Sequence, residues 1–582
     1  MSSLYTLKKY FLRYKKQLFL GFLFILLSDL SAVYIPLLLK DSINAIQKHV
    51  EYSKLLKYAW MIVVAAVISG VFRYMIRQTI IVVSRKIEYD LRQDFWKHIQ
   101  KLPLRYFQNN STGNIMAHAT NDINAVRMFV GPAVMYSTDT VVTLVIVLAI
   151  MFSLNASLTL YSLIPLPFLS YLVYKLGKKI HIRFNAIQAK FADLTTKAQE
   201  NFSGIRVVKS YVREENEINE FKAECSDYLK KNMAMIKIES LFQPVLFLIT
   251  GLSIIIVMWL GGIKVIQGQL GLGDISAFII YLGMLIWPMI AFGWVTNIVQ
   301  QAAASMKRLR SILSEKYEIE DTSKTNFNIK KIYGKIEFRN VSFRYSPYFN
   351  NVLNNISFEI PAGSTIAIIG RTGVGKTSLI NLIPRLYDVT EGEVLIDGKN
   401  VKEIPLDILR TQIGLVPQET FLFSDTLASN ISYGLKDTQM DLVENVSHIA
   451  QLKKDVDSFP LKYETILGER GITLSGGQKQ RTSLARAIAV DPAILILDDS
   501  FSAVDTNTEE EILKQLRGFM KDRTSIIISH RISTVKDADR IFVLENGGIA
   551  EQGTHVELVE LNGIYADIHY KQLLEKELDE LN

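Results

Sequence analysis

The chain has very little cysteine: Cys225 is the only one among 582 residues. A single thiol excludes an intramolecular disulfide and any metal site built from several cysteines. The chain also lacks a strong charge imbalance, because a net charge of +7 is modest for this length. A nucleic-acid-binding protein would gather its basic residues in a patch beside stacking aromatics. Here the basic residues lie between apolar runs, as they do in the cytoplasmic loops of membrane proteins, and no nucleic acid partner is expected.

The length and the distribution of apolar residues predict two domains, because 582 residues exceed what one hydrophobic core organises. Long apolar runs occupy six places before residue 300: residues 17–39, 57–83, 131–152, 157–174, 241–261 and 275–298. About 20 helical residues cross a bilayer core, and in lipid a helix satisfies its own backbone. We therefore predict a six-helix transmembrane domain over residues 1–320.

The remainder of the chain has a different pattern. After a polar linker at residues 314–328, short β-branched runs alternate with amphipathic helices. This alternation is typical of an α/β domain, which we place at residues 321–582 with a core at 336–570. The last segment, residues 571–582, is rich in charge and is expected to be a solvated helical end, with contact to a partner as the alternative.

Basic residues predict the orientation in the membrane. The first apolar run is too long for a signal peptide and no small-residue cleavage site follows it. The segments between runs two and three and between runs four and five are long, helical and basic, whereas residues 153–156 are short and uncharged. Both long segments are expected in the cytoplasm, with tips near residues 112–113 and 203–204, and both chain termini lie on the same side. The N-terminal cluster that supports this placement comprises Lys8, Lys9, Arg13, Lys15 and Lys16.

A phosphate-binding loop begins after the strand-like run at residues 366–369. Its sequence is Gly370-Arg371-Thr372-Gly373-Val374-Gly375-Lys376-Thr377-Ser378. Glycines let backbone N–H groups wrap phosphates, and the following helix directs its positive end to the same place. In such a loop Lys376 reaches the β- and γ-phosphates and the Thr377 hydroxyl ligates Mg²⁺. A second apolar run, residues 493–497, ends in Asp498, a carboxylate that would hold Mg²⁺ opposite the loop. The sequence predicts binding of ATP and Mg²⁺.

The string Leu474-Ser475-Gly476-Gly477-Gln478 lies between these two motifs, and here the chain resembles the ATP-binding cassette exporters over nearly its whole length. Within that resemblance, Tyr345 looks like the aromatic residue that stacks on adenine. Gln418 looks like the glutamine that senses Mg²⁺, and His530 looks like the switch histidine that contacts the γ-phosphate. Ser502 and Asp505 lie in the loop that is similar to the one linking two cassettes.

The resemblance also implies a dimer. In this family two cassettes enclose two ATP molecules, and each site combines the phosphate loop of one cassette with the signature string of the other. Residues 474–478 would therefore contact ATP held by the partner. One cassette and six spans make a half-transporter, which pairs with a second copy or with a different half-transporter and works by alternating access.

One residue departs from the family pattern. The Mg²⁺-binding aspartate is usually followed by a glutamate that polarises the attacking water, whereas this chain has Asp499. A carboxylate that is one methylene shorter reaches less far, and slower hydrolysis is the expectation. Two explanations stay open: the chain pairs with a different subunit that supplies the glutamate, or it forms a homodimer that tolerates aspartate.

Charged residues within or near the apolar runs are candidates for substrate contact, because ionisable groups in a bilayer are costly and often functional. Arg73 and Arg77 lie one turn apart and could meet an acidic head group; alternatively they reach the interface or pair with Asp29 or Asp139. We expect an ATP-driven exporter of lipids or amphiphilic drugs in a bacterial-type plasma membrane. The rival is a membrane protein regulated by nucleotide occupancy, without pumping.

Overall fold

The chain forms two compact units in a computed structural model that describes residues 2–581. The first unit comprises Met1–Ile99 and Thr112–Glu315, and it is helical. The second comprises Gln100–Ser111 and Lys316–Asn582, and it contains all the strands of the described residues. The predicted fold class, a six-helix membrane domain followed by an α/β domain, is confirmed.

The described part of the helical unit contains six stretches that are long and apolar enough to cross a membrane: Lys15–Gln47, Tyr52–Ile99, Thr112–Leu154, Ala156–Ser203, Glu214–Ile266 and Leu272–Leu313. The unit is built from these helices and short turns: Ser2–Leu7, Lys8–Arg13, Lys15–Gln47, Tyr52–Ile76, Arg77–Ile81, Val82–Ile99, Thr112–Ala117, His118–Asp122, Ile123–Met128, Phe129–Ala133, Val134–Leu154, Ala156–Leu163, Pro165–Ser203, Ile205–Ser210, Glu214–Glu239, Phe242–Ile266 and Leu272–Leu313. The helices extend beyond the apolar runs because the flanking basic segments keep the same helical periodicity.

Short polar residues end and restart the helices of this unit. Asn155 adopts an extended conformation between the third and fourth spans, and its side chain accepts a hydrogen bond from the Leu158 N–H at 3.0 Å. An asparagine at this position satisfies one of the N–H groups that a helix start leaves open. At the other end of the fourth span, Gly204 separates Pro165–Ser203 from Ile205–Ser210, and its backbone N–H donates to the Glu200 carbonyl oxygen at 2.8 Å.

Three π-helical segments interrupt the described second and third spans, at Arg77–Ile81, His118–Asp122 and Phe129–Ala133. Glycines permit close packing around the first of them. A Cβ atom on Gly21 would stand 2.4 Å from Ile80 Cγ1, and one on Gly131 would stand 2.6 Å from Ser84 Oγ. Three spans therefore meet where the π segment widens the helix, a feature that is common at functional sites.

The described residues of the second unit form ten strands in two sheets: β1 (Ile336–Phe343), β2 (Leu353–Ile360), β3 (Thr365–Gly370), β4 (Glu391–Ile396), β5 (Lys399–Asn400), β6 (Ile413–Val416), β7 (Ile494–Asp498), β8 (Thr524–Ile528), β9 (Arg540–Glu545) and β10 (Gly548–Gly553). The smaller sheet is antiparallel with the order β2-β1-β4-β5. The larger has the order β10-β9-β3-β8-β7-β6 and is parallel except for β10.

Helices cover the sheets, and they comprise Leu104–Asn109, Lys376–Asn381, Leu406–Thr411, Leu427–Ile431, Met440–Ile449, Lys453–Ser458, Lys462–Glu464, Glu469–Gly471, Gly476–Ala489, Thr506–Met520, Ile532–Val535, His555–Glu560 and Ile564–Leu581. The central strands are buried on both faces, and their side chains alternate between two cores. Leu495 and Leu497 of β7 belong to one core, and Ile494 and Ile496 belong to the other. This explains the continuous apolar run that the sequence shows.

The tip of the connection between the second and third spans lies at residues 100–111, so the placement of this tip at residues 112–113 is wrong. A new helix begins at Thr112, whereas Pro103 disfavours a helical conformation in the residue before it and opens the short helix Leu104–Asn109. This segment belongs to the second unit. Arg105 pairs with Glu318 at 3.6 Å, and Phe107 lines a cavity of about 570 Å³ with Leu386 and other residues of that unit.

The close approach at Gly131 generates a prediction about stability. Gly131→Leu should destabilise the helical unit by about 1–3 kcal/mol because the new side chain overpacks against Ser84. Gly70→Leu, on the second span, is the matched control, since a Cβ atom at Gly70 would have nothing within 4 Å. Thermal unfolding of the purified chain should show a Tm lowered by several degrees in the first variant alone. Equal shifts in both variants would contradict the packing described for the π segment.

Candidate nucleotide site

The phosphate-binding loop connects β3 to the helix Lys376–Asn381, as the sequence predicts. Gly373 and Gly375 have φ angles of +85° and +104°, in the region that favours glycine. A Cβ atom on Gly375 would also stand 2.9 Å from Leu353 Cδ2. The loop therefore favours glycine at these two positions.

Lys376 is buried at the centre of the loop. Its Nζ donates hydrogen bonds to the carbonyl oxygens of Gly370 at 2.8 Å and Arg371 at 3.0 Å. Burial lowers the pKa of Lys376, because the ammonium group is removed from water and its hydrogen-bond acceptors here are neutral carbonyls. A phosphate oxygen would be a stronger, charged acceptor for the same group.

Thr377 and Asp498 meet across the mouth of the loop. The Thr377 hydroxyl donates to Asp498 Oδ2 at 2.8 Å, and Asp498 is buried at the end of β7. Burial raises the pKa of the Asp498 carboxyl, so its charged form is costly unless a cation lies beside it. The described residues hold no cluster of three or more His, Cys, Asp or Glu side chains suited to a metal. Mg²⁺ fits this oxygen donor set, since it is commonly bound by one or two carboxylates together with substrate phosphates.

Asp499 follows Asp498 directly in the chain, and its φ angle is +47°. Among residues other than glycine, aspartate and asparagine adopt this left-handed conformation most readily. The Asp499 N–H donates to the carbonyl oxygen of Ile528 at 2.9 Å, which fixes the turn against β8. Its Oδ2 accepts a hydrogen bond from Gln418 Nε2 at 3.4 Å. The carboxylate and the amide are therefore in direct contact.

A cavity of about 300 Å³ brings most of the predicted ATP-binding residues together. It is lined by Tyr345, Val352, Thr372, Gly373, Gly375, Lys376, Thr377, Ser378, Gln418, Asp498, Asp499, Ile528 and His530. Tyr345 holds its place through a 2.8 Å contact between its hydroxyl and Ser378 Oγ. Its ring also packs edge-on against Phe343 and Tyr387. Gly370, Arg371 and Val374 belong to the same loop without lining the cavity.

The signature string does not line this cavity. Ser475 caps the helix Gly476–Ala489: its Oγ accepts from the Gln478 N–H at 3.3 Å, and the Gln478 side chain accepts from the Ser475 N–H at 2.9 Å. Leu474 is buried just before the cap. A Cβ atom on Gly476 or Gly477 would come within 3.2 Å or 3.0 Å of Ala503. These residues thus form a tightly packed helix start that lies outside the cavity.

Ser502 and Asp505 are held in the segment that follows β7. Gln480 Nε2 donates to Ser502 Oγ at 3.0 Å, which links this segment to the signature helix. Asp505 caps the helix Thr506–Met520 by accepting from the Thr508 N–H at 2.9 Å. The hydrogen bonds from Thr508 lower the pKa of the Asp505 carboxyl. Both residues therefore have a structural role within the unit.

Comparison with known proteins gives the family. The model of the ABC transporter transmembrane region matches residues 18–289, and the ABC transporter model matches residues 353–502. The Escherichia coli multidrug resistance-like ATP-binding protein MdlA is 35% identical, covering 92% of this chain and 90% of that protein. The chain belongs to the ABC transporter family. An ATP-dependent lipid A-core flippase from Syntrophus aciditrophicus is 36% identical, covering 86% of this chain and 82% of that protein.

A solved structure extends the likeness to the exporter fold. The structure of a bacterial Atm1-family ABC exporter with ATP bound has a TM-score of 0.79 and 27% identity, and the match covers 96% of this chain and 98% of that one. The six apolar helices and the α/β cassette are therefore those of an ABC exporter half-transporter, and the cassette is an ATPase domain.

The exporter also positions His530 through a residue that sequence reasoning missed. Gln572 lies on the helix Ile564–Leu581, in the segment expected to be solvated. It is half-buried, donates from Nε2 to the His530 carbonyl oxygen at 2.6 Å, and accepts from the Ile532 N–H at 2.9 Å. The expectation of a solvated end is wrong at this residue. A glutamine within a charged helical end carries no sequence signal for this contact.

The two bonds of Gln572 generate a prediction about turnover. Gln572→Ala should lower kcat of the ATPase about tenfold while KM for ATP changes little, because the His530 segment loses its fixed position. Gln572→Glu keeps the acceptor for Ile532 and should retain part of the activity. Lys571→Ala, on the exposed side of the same helix, is the control and should have no effect. A parallel loss of Tm and kcat in Gln572→Ala, with KM also raised, would indicate a merely structural role.

Proposed function

We propose that this chain is one half of a dimeric ATP-driven exporter that moves lipids or amphiphilic drugs across the plasma membrane, or between its leaflets. The observation that carries the proposal is the cavity that unites the phosphate loop, Asp498, Asp499 and His530 in a chain with six membrane-spanning helices. Relatives named for multidrug resistance and for lipid A-core transport support the choice of an apolar or amphiphilic cargo.

The lining residues have distinct roles in this proposal. Tyr345 stacks on the adenine ring, and the loop residues Gly370 to Ser378 enclose the phosphates, with Lys376 on the β- and γ-phosphates. Asp499 accepts a hydrogen bond from the attacking water, and His530 contacts the γ-phosphate. When Mg²⁺ is bound, Thr377, Gln418 and Asp498 would hold it, and it would neutralise charge on the phosphates.

A second cassette completes the site. Residues Leu474 to Gln478 do not line the cavity of their own chain, so their contact with ATP requires a partner's nucleotide. A second surface also calls for a partner, because the tip of the second cytoplasmic loop exposes several large apolar side chains. These are Phe202, Val207, Tyr211 and Val212. Contiguous exposed apolar groups commonly mark interaction sites, and a partner half-transporter would cover them.

Binding and hydrolysis drive alternating access in this proposal. Two ATP molecules bind the closed cassette pair more tightly than the open pair, so they shift the dimer toward the outward-facing state. Hydrolysis then removes that preference and allows the cassettes to separate. In this proposal both termini and both cassettes lie inside the cell, at the inner membrane, and the basic segments between the spans support that orientation.

Transport is tested by ATPase activity in proteoliposomes. An exporter should show hydrolysis that rises in the presence of its cargo, and a panel of amphiphiles should stimulate turnover several-fold. Asp498→Asn is the control: it should abolish the stimulated and the basal rate. The rival function, control of a partner by nucleotide occupancy without pumping, predicts ATP binding with no cargo-dependent turnover at all.

The rate of hydrolysis depends on Asp499. Asp499→Glu should raise ATP turnover of the isolated chain roughly tenfold, because the longer side chain reaches the attacking water more closely. Asp499→Asn, which keeps the size but cannot accept the proton, should be slower than the wild type. No increase in Asp499→Glu would show that this position does not limit the rate.

Purification of the intact complex decides between one chain type and two, and two would favour a partner that supplies the glutamate.

A further inference from the structure

His530 lies in the short connection between β8 and the helix Ile532–Val535. It is half-buried and lines the nucleotide cavity. Two polar residues of the same connection, Ser529 and Thr534, are buried. The position of the His530 side chain in the cavity therefore depends on how the protein holds this turn from the side that faces away from solvent.

Glu509 is the residue that holds the turn on its buried side. It lies in the first turn of the helix Thr506–Met520 and is only 2% exposed. The Arg531 guanidinium donates a hydrogen bond to Glu509 Oε2, and the Thr534 hydroxyl donates one to Glu509 Oε1. Each oxygen of this carboxylate therefore binds a different residue of the segment that carries His530.

Further hydrogen bonds close the turn around His530. The Arg531 N–H donates to Ser529 Oγ at 3.0 Å, and Ser529 Oγ donates to Thr534 Oγ1 at 3.3 Å. Ser529 precedes His530 and Arg531 follows it, so residues on both sides of His530 belong to one network. That network ends at the carboxylate of Glu509.

The energetics of this contact favour a role in positioning. A buried ion pair often stabilises a fold no better than apolar residues of similar volume, because both charges lose their hydration. The Arg531 side chain is 41% exposed, so water could hydrate it in the absence of Glu509. The carboxylate supplies direction instead, because charge-assisted hydrogen bonds are short and geometrically specific. Glu509 thus fixes where the turn lies.

Glu509 also connects this turn to the segment that follows β7. Its N–H donates to the Asp505 carbonyl oxygen at 2.9 Å, and Asp505 caps the same helix. The segment before Asp505 begins at Asp499, which lines the nucleotide cavity as His530 does. One helix start therefore holds the two chain segments that bring Asp499 and His530 to the cavity.

We propose that Glu509 is a positioning residue for ATP hydrolysis, which holds His530 at the nucleotide cavity through Arg531 and Thr534. The inference rests on the proposed contact between His530 and the γ-phosphate, and it adds a residue that does not itself line the cavity. Misplacement of a group by a fraction of its contact distance slows the chemical step more than it weakens substrate binding. Loss of Glu509 should therefore lower kcat and leave KM for ATP nearly unchanged.

The first test replaces one acceptor oxygen in the intact chain. Glu509→Gln keeps the size of the side chain but has one acceptor oxygen in place of two, so it cannot serve Arg531 and Thr534 together. Its kcat for ATP hydrolysis should fall about tenfold while KM stays within about twofold. Glu510→Gln, at the exposed neighbouring position, is the matched control and should change neither constant. An unchanged kcat in Glu509→Gln, or a change confined to KM, would overturn the proposal.

A double-mutant cycle separates positioning from a general loss of structure. Single-turnover hydrolysis, which resolves slow residual rates, should show a large loss in His530→Ala. In that background Glu509→Gln should lower the rate by no more than about twofold, because the group that it positions is absent. The same loss of about tenfold in both backgrounds would indicate a merely structural role and overturn the proposal. If His530→Ala alone has no effect, the proposed role of His530 fails and this inference fails with it.

Variants of Arg531 guard against a Glu509 variant that fails to fold. Arg531→Gln should lower kcat several-fold, and Arg531→Lys, which keeps a charged donor, should recover most of the rate. Equal rates in Arg531→Gln and the wild type would contradict the contact through which Glu509 acts. All these rates are measured without cargo, so the outcome is independent of pumping. The expected cycle without cargo-stimulated ATPase would uphold Glu509 and reject the exporter function, whereas cargo stimulation with an additive cycle would do the reverse.

Discussion

The hydrogen bond from Thr377 to Asp498 joins two points of the chain that are 121 residues apart, and the nucleotide site depends on it. The register of three adjacent parallel strands makes this contact possible. Ile528 of β8 pairs with Ile368 of β3 on one side and with Asp498 of β7 on the other. The phosphate loop, Asp499 and His530 follow these aligned residues along the chain, so they emerge beside Asp498 at one edge of the sheet. Because side chains alternate along a strand, a shift of one residue would turn Asp498 to the other face.

The local sequence was sufficient to predict the phosphate loop, the buried strand and the membrane spans. The glycines of the phosphate loop are needed because of positive φ angles, and that need is readable from the motif itself. The apolar run before Asp498 predicted a strand buried on both faces, since alternating residues enter two different cores. Helix spans were equally readable, because lipid requires a minimum apolar length. These properties are set by a few neighbouring residues, and no distant contact alters them.

Other features depend on contacts that no local pattern encodes. The π-helical segment Arg77–Ile81 has the composition of an ordinary helix, so the sequence does not predict it. The structure shows it beside the positions where Gly21 and Gly131 allow neighbouring spans to approach. Gln572 contacts the His530 segment only because the fold brings the two together, and no sequence pattern predicts that contact. The spacing of Arg73 and Arg77 predicts that both lie on one face of a helix, but it does not predict that Asp29 and Asp139 of other spans line one cavity with them. Which charged side chains of different spans meet depends on the rotation of each helix about its axis and on its depth in the bilayer. The length of an apolar run determines neither.

The conformation of Asp499 connects local strain with the chemistry of hydrolysis. Its backbone is left-handed, a conformation that aspartate adopts more readily than most residues, and its carboxylate accepts a hydrogen bond from Gln418. The same shortness limits how far the carboxylate extends into the cavity. The backbone preference and the reach of the side chain thus act in opposite directions at this one residue. The hydrogen bonds that hold Lys376 and Tyr345 run to the carbonyl oxygens of Gly370 and Arg371 and to Ser378 and do not include Asp499, so the arrangement of the phosphate loop is independent of that compromise.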